Sequence, residues 1–131
     1  MEVPDKLLKC VFCSVPKTRI VLESTIGFVI RDAFPVSSGH SLVIPKRHVG
    51  SIFELGADEQ LALLTLLNDA KLALDVELQP EGYNIGINDG PAAGQTVAHL
   101  HIHLIPRFWG DLPDARGGVR WIFPDKARYW P

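Results

Sequence analysis

Only two cysteines occur in the 131 residues, and both lie in one stretch, Cys10-Val-Phe-Cys13. A chain of this length can bury a core without disulfide staples, and in a reducing compartment such a pair suggests a metal half-site or a redox pair before a structural bridge. Basic surplus is missing too. Thirteen Lys and Arg against fifteen Asp and Glu leave a formal net charge of −2, so nothing points to a polynucleotide partner. No run of about 18 apolar residues is present, which excludes an obvious membrane-spanning helix. The opening MEVPDKLLKC lacks the apolar core of a signal peptide, so a cytoplasmic location is expected. Repeats, low-complexity tracts and long linkers are absent, and residues 1–131 read as a single domain.

What is there alternates between short β-branched runs and one long helical pattern. TRIVL (18–22), GFVI (27–30) and HSLVIP (40–45) read as strands separated by turn residues. Residues 57–78 carry Leu63, Leu67, Ala70, Leu74 and Leu78 at helical spacing, with Asp58 and Glu59 at the end where the macrodipole favours acids. Pro80 and Gly82 close that helix. YNIGIN (83–88) is a further strand, and the turn-forming DGPAAGQT leads from it to HLHIHLI (99–105), which Pro106 is expected to end. The fold class is α+β, a mainly antiparallel sheet of about five strands covered on one face by the long helix, with a short helix beside it. Residues 112–131 are a Gly- and Pro-marked tail to which the sequence assigns no regular structure.

HLHIHLI holds the chemistry. Along a strand, side chains alternate between faces, so His99, His101 and His103 share one face while Leu100, Ile102 and Leu104 enter the core. One histidine on a strand is usually structural, and a His-x-His pair is commonly a metal site. Three in register behind the loop GPAAGQT suggest instead that the histidine face meets a phosphate, because Gly90 and Gly94 let a backbone come close to an anion.

The run Gly94-Gln-Thr-Val-Ala-His99-Leu-His101-Ile-His103-Leu-Ile-Pro106 resembles the signature of the histidine triad (HIT) superfamily of nucleotide hydrolases and transferases. The likeness continues through Asn88-Asp-Gly-Pro-Ala-Ala-Gly94 and Pro35-Val-Ser-Ser-Gly-His40-Ser-Leu-Val-Ile-Pro45-Lys-Arg-His48, covering roughly residues 10–111. It implies a HIT-like fold and a nucleotide substrate. His101 would be the nucleophile that attacks an α-phosphorus, oriented by the backbone carbonyl of His99, and His103 would donate to the leaving-group oxygen, with His40 beside them. Asp32 would accept the ribose hydroxyls; Asn88, Gly94, Gln95 and Thr96 would hold the phosphate. Simpler roles stand beside these, a strand-ending turn for Asp32, turn chemistry for Asn88 and a structural ring for His40.

Some bacterial members of that family resemble this chain in carrying a Cys-x-x-Cys pair. The likeness implies a structural zinc ion held by Cys10, Cys13, His48 and His99, against the alternative of two free thiols. The loop NDGPAAGQT is similar to the branch that hydrolyses diadenosine polyphosphates, so dinucleoside polyphosphates are expected to be preferred as substrates over adenosine phosphoramidates. The short chain and the cysteine pair are more like bacterial members, some of them acting on adenosine phosphoramidates. A nucleotide-binding regulatory module with incidental turnover is a further reading, and a catalytic three-histidine metal site is another, in conflict with His99 as a zinc ligand. The family resemblance also implies a homodimer, with YNIGIN, the helix and the Trp-bearing tail as contact elements. Phe28 and Ile30 are expected to flank the base, and Arg107, Arg116 and Arg120 are possible polyphosphate partners.

Overall fold

The computed structural model describes residues 10–131; the reading of the opening segment as lacking a signal peptide rests on residues 1–9, which lie outside them. Five strands form one antiparallel sheet: β1 (Ile20–Glu23), β2 (Gly27–Arg31), β3 (Ser41–Pro45), β4 (Gly82–Gly86) and β5 (Ile102–Arg107), in the order β1-β2-β3-β5-β4. The long helix α1 spans Ala57–Leu78, and a single helical turn, α2, spans Pro124–Ala127. Among the described residues no helix is long and apolar enough to cross a membrane.

Helix α1 starts and stops for identifiable reasons. The Gly56 N–H donates to Glu59 Oε1 at 3.1 Å, which satisfies a first-turn donor that the helix itself cannot. At the other end Gln79 adopts the left-handed conformation, φ 51° and ψ 51°, before Pro80 prevents continuation. Between these ends Leu63, Leu66, Ala70 and Leu74 are buried against Val29, Val43, Leu100, Ile102 and Leu104. Leu66 therefore belongs to the core, and Leu67, which the spacing favours, is only partly buried at its edge. On the opposite face of the sheet Phe28, Ile30, Leu42 and Ile44 form a second apolar cluster, joined by Phe12, Val15 and Ile20. The central strands are thus buried on both sides.

The histidine segment departs from the expected strand at both ends. Pairing begins at Ile102 rather than His99, because the Leu100 N–H donates to the Val49 carbonyl at 2.7 Å and draws residues 99–101 toward the loop after β3. Pairing then passes through Pro106 to Arg107. Proline is tolerated there because β5 pairs with β3 only as far as Leu104 opposite Ser41, so its missing N–H breaks no bond on that side. Residues 102–107 still alternate, with Ile102, Leu104 and Pro106 buried toward the helix and His103 on the other face.

Gly39 fixes the approach to β3. Its φ is +84°, and a Cβ there would lie 2.5 Å from Leu78 Cδ1 and 3.0 Å from Leu74 Cδ2. Only glycine suits that position.

The tail is more ordered than its sequence suggests. A 3₁₀ turn at Gly118–Ile122 precedes α2, and three guanidinium groups lie over aromatic rings: Arg116 over Trp130 at 4.4 Å, Arg120 over Tyr129 at 4.7 Å and Arg128 near Trp121 at 5.9 Å.

Left-handed backbone is costly for a residue with a Cβ, so Gln79→Gly should stabilise the protein by about 1 kcal/mol. Urea unfolding would measure it; an unchanged or lower midpoint would show that the helix end is not strained.

Candidate active site and metal centre

All five histidines of the chain stand in one row across the second face of the sheet. His48 and His99 rings are 5.0 Å apart, His101 and His103 are 5.2 Å apart, and His103 and His40 are 5.2 Å apart. Phe12 fills the space between His99 and His101, with edge contacts at 6.0 and 5.0 Å. β5 places His103, the irregular residues before it place His99 and His101, and the start of β3 places His40.

Hydrogen bonds decide which nitrogen of each ring carries the hydrogen at the His101, His103 and His40 end of this row. His101 Nδ1 lies 2.8 Å from the His99 carbonyl, which only accepts, so Nδ1 carries the hydrogen and Nε2 keeps its lone pair. The Val36 N–H donates to His40 Nδ1 at 3.1 Å, so His40 must carry its hydrogen on Nε2. That nitrogen is 3.0 Å from His103 Nδ1 and 3.4 Å from Asp32 Oδ2. Two hydrogens cannot face each other across 3.0 Å, so His103 Nδ1 accepts and His103 Nε2 is left as a donor. Val36 was invisible to sequence reasoning, since a backbone donor leaves no residue-type signal.

Burial also sets the charge. It holds His40 below the ordinary imidazole value of 6.5, with Asp32 opposing, and it holds His103 below that value with help from the neighbouring His101 and His40.

A cavity of about 550 Å³ opens onto His101, His103 and His40, within the usual range for small-molecule sites. Asp32, Asn88, Gly94 and Thr96 line it, as do Ile30, Leu42 and Phe12. Asp32 serves two ends, since its Oδ1 accepts the Phe34 N–H at 2.8 Å and closes a turn after β2. Gln95 does not line the cavity. Its side chain accepts the Gly90 N–H at 2.8 Å and donates to the Gly50 and Val97 carbonyls at 2.8 and 3.1 Å, so it shapes the loop. Phe28 packs in the apolar cluster behind Ile30 rather than at the cavity wall.

The tail arginines are already engaged. Arg107 pairs with Asp111 and Asn84, Arg116 with Asp114, and Arg120 donates to the Ala127 and Lys126 carbonyls. None lines either cavity at the histidines. Sequence reasoning missed Arg19, which does line the larger one.

At the other end of the row, donor atoms of Cys10, Cys13, His48 and His99 all lie within 4.8 Å of one another. Cys13 Sγ is 3.1 Å from His48 Nδ1, Cys10 Sγ is 3.4 Å from His99 Nδ1, and the two Nδ1 atoms are 3.1 Å apart. A tetrahedral zinc ion with bonds of about 2.0–2.3 Å spaces its donors by roughly 3.3–3.8 Å, so this set fits one. His99 is prepared for it: its Nε2 hydrogen donates to the Pro45 carbonyl at 2.8 Å, which leaves the Nδ1 lone pair toward the sulfurs. Without a cation, burial and the adjacent Cys10 push the Cys13 thiol up to about 11. Among the described residues the only other such cluster is Asp32, His40 and His103, so no cluster unites the three histidines of HLHIH and a catalytic three-histidine metal site is not formed.

The HIT domain family model matches residues 14–110, which hold every one of these histidines. The chain belongs to the HIT family. This HIT protein is 35% identical over 104 residues to the adenosine 5′-monophosphoramidase of Schizosaccharomyces pombe, covering 76% of this chain and 75% of the relative. It is 31% identical over 93 residues to an AP-4-A phosphorylase of Mycobacterium tuberculosis, covering 70% of this chain but 48% of that longer protein. A zinc-bound histidine triad protein of Mycobacterium smegmatis superposes with a TM-score of 0.68 at 36% identity, covering 82% of this chain and 86% of that one. The cysteine pair sits at the margin, since the family match begins one residue after Cys13.

The buried, neutral rings make stability depend on pH with a defined sign. A group held below its unfolded value contributes fully above that value, and the contribution is lost as pH falls through the lowered one. Melting temperature should therefore decline as pH drops below about 6.5, and His40→Gln should flatten that decline. A wild-type curve level from about pH 7 to 5 would contradict it.

Proposed function

We propose that this HIT protein hydrolyses nucleotide conjugates at the α-phosphate through a covalent nucleotidyl-histidine and releases a nucleoside monophosphate. The hydrogen bond from His101 Nδ1 to the His99 carbonyl carries the reading, because it leaves an unprotonated Nε2 on a ring that lines the cavity. That lone pair forms a bond to phosphorus, and the bond to the leaving group breaks with its electron pair. The leaving group takes up a proton. Water then attacks the same phosphorus, the phosphorus–nitrogen bond breaks, and water's proton is released as His101 returns to neutral. His103 Nε2–H donates to the oxygen where charge collects. Thr96, Asn88 and the Gly94 backbone hold the phosphate, Asp32 accepts the ribose hydroxyls, and Ile30 and Leu42 meet the base. Gln95 acts by keeping the loop in shape.

Two leaving groups have separate support. Dinucleoside polyphosphates fit the loop NDGPAAGQT and the AP-4-A phosphorylase relative. Phosphoramidates fit a different observation: the recess of about 380 Å³ beyond His103 is walled by Ile85, Ile105, Val119 and Ile122, and no Lys or Arg lines it. Comparing kcat/KM for diadenosine tri- and tetraphosphate with an adenosine phosphoramidate decides between them; a tenfold preference, about 1.4 kcal/mol, is decisive. Binding without turnover across that panel would leave a regulatory nucleotide-binding module.

Zinc at Cys10, Cys13, His48 and His99 would be structural, since all four positions are filled and none is open to substrate. Pairing of the β4 edge, with the exposed Leu61, Leu64, Leu72 and Val76 of α1 alongside, would join two copies into a dimer. Light scattering that reports a monomer at micromolar concentration would refute the dimer.

His101→Ala should reduce turnover by at least about a thousandfold while nucleotide binding persists, and a slow substrate should add one nucleotidyl mass to wild-type protein at His101. Wild-type turnover in that variant would end the covalent mechanism. Metal analysis should find one zinc per chain, and Cys13→Ser should lower melting temperature more than turnover per folded molecule.

A further inference from the structure

We propose that Phe12 is a positioning residue for the nucleotide and for His101, that the metal sets its place, and that zinc and nucleotide therefore tighten each other's binding. This rests on the zinc reading of the cysteine and histidine cluster. Phe12 and Val11 are the two residues between Cys10 and Cys13, and both line the nucleotide cavity. The turn is closed on itself by the Cys13 N–H donating to the Cys10 carbonyl at 3.2 Å and the Ser14 hydroxyl donating to the same carbonyl at 3.1 Å. A short rigid turn thus carries two metal ligands on one side and one wall of the cavity on the other.

What attaches that turn to the sheet is limited. Among the described residues, Phe12 and Val15 pack against the Phe28, Ile30, Leu42 and Ile44 cluster, the Phe12 ring meets the rings of His99 and His101, and the thiols contact His48 and His99 at 3.1–3.5 Å. Thiols are weak hydrogen-bond partners, whereas four bonds to one zinc ion fix all four side chains together. Cys13 is exposed and Val11 is 59% exposed, so none of the described residues covers the outer side of the turn. Zinc therefore holds the turn down, and the turn holds the Phe12 ring edge-on to His101, with the ring centres 5.0 Å apart.

The consequence runs both ways. A nucleotide that touches Phe12 in the cavity favours the docked turn, and the docked turn is the arrangement in which the four ligands meet. By linkage, the factor by which zinc tightens nucleotide binding equals the factor by which nucleotide tightens zinc binding. Couplings of this kind are commonly about 5–150-fold, and one hinge with one contact residue suggests about tenfold.

The test starts from zinc-loaded protein, so it does not depend on the metal-free chain staying folded. Zinc is partitioned to equilibrium between the protein and a colorimetric chelator with and without saturating AMP. The zinc dissociation constant should fall by about tenfold with AMP in the wild type, with little change in Phe12→Ala that still holds one zinc. Where the metal-free protein remains folded, calorimetry should show AMP binding weakened by the same factor. Equal zinc affinities with and without AMP, in protein that binds both, would overturn the linkage and leave the zinc reading intact. An AMP effect retained in full by Phe12→Ala would remove Phe12 as the link. Protein that takes up no zinc would defeat both readings together.

Discussion

His99 is tied down at every polar atom that the site uses. Its Nε2 donates to the Pro45 carbonyl, its Nδ1 faces the two thiols and His48, and its own carbonyl receives the His101 proton. The last of these decides which nitrogen of His101 keeps its lone pair. The first two decide where that carbonyl stands, and both come from parts of the chain remote in sequence. A fully buried imidazole thereby converts the end of β3 and the cysteine turn into constraints on the His101 nitrogen that lacks a hydrogen.

The donor side is built on the same logic from the opposite end of the row. A backbone N–H at Val36 fixes His40, His40 fixes His103, and the hydrogen that remains is on His103 Nε2, on a ring that lines the cavity. No carboxylate has to change protonation for this order to exist. Asp32 stands close enough to His40 to temper its burial but keeps an oxygen on the Phe34 N–H. Burial favours the uncharged form of His40 and His103, the form in which each ring has one nitrogen to donate and one to accept.

Much of this was legible in HLHIHLI because alternation reports a face, and a face is a local property. The antiparallel sheet, the helix bounds and the candidates His101, His103, Asp32 and Thr96, which line one cavity, follow from pattern and resemblance together. The start of β5 did not, since Leu100 is recruited by the Val49 carbonyl, a contact between segments far apart in sequence. Gln95 and the tail arginines find partners other than the cavity for one shared reason. Each has the chemistry to hold a phosphate, but whether a donor is free depends on the partners it finds nearby in space, and these found carbonyls and carboxylates. Phe12 carries no signal of its own in the sequence; it packs against the second apolar cluster and also lines the cavity.

Gly39 ties the site to a region that touches no ligand. It lies against Leu74 and Leu78 at the last turns of α1, and the residue after it is His40. Any side chain at that point would press the loop away from the helix and tilt the ring that dictates the hydrogen on His103. A saturation-mutagenesis map of turnover would then show a second patch of loss on the reverse side of the sheet, around Gly39 and the two leucines. Read as a footprint, that patch would double the apparent area of the active site; read mechanically, it marks the abutment on which one imidazole leans.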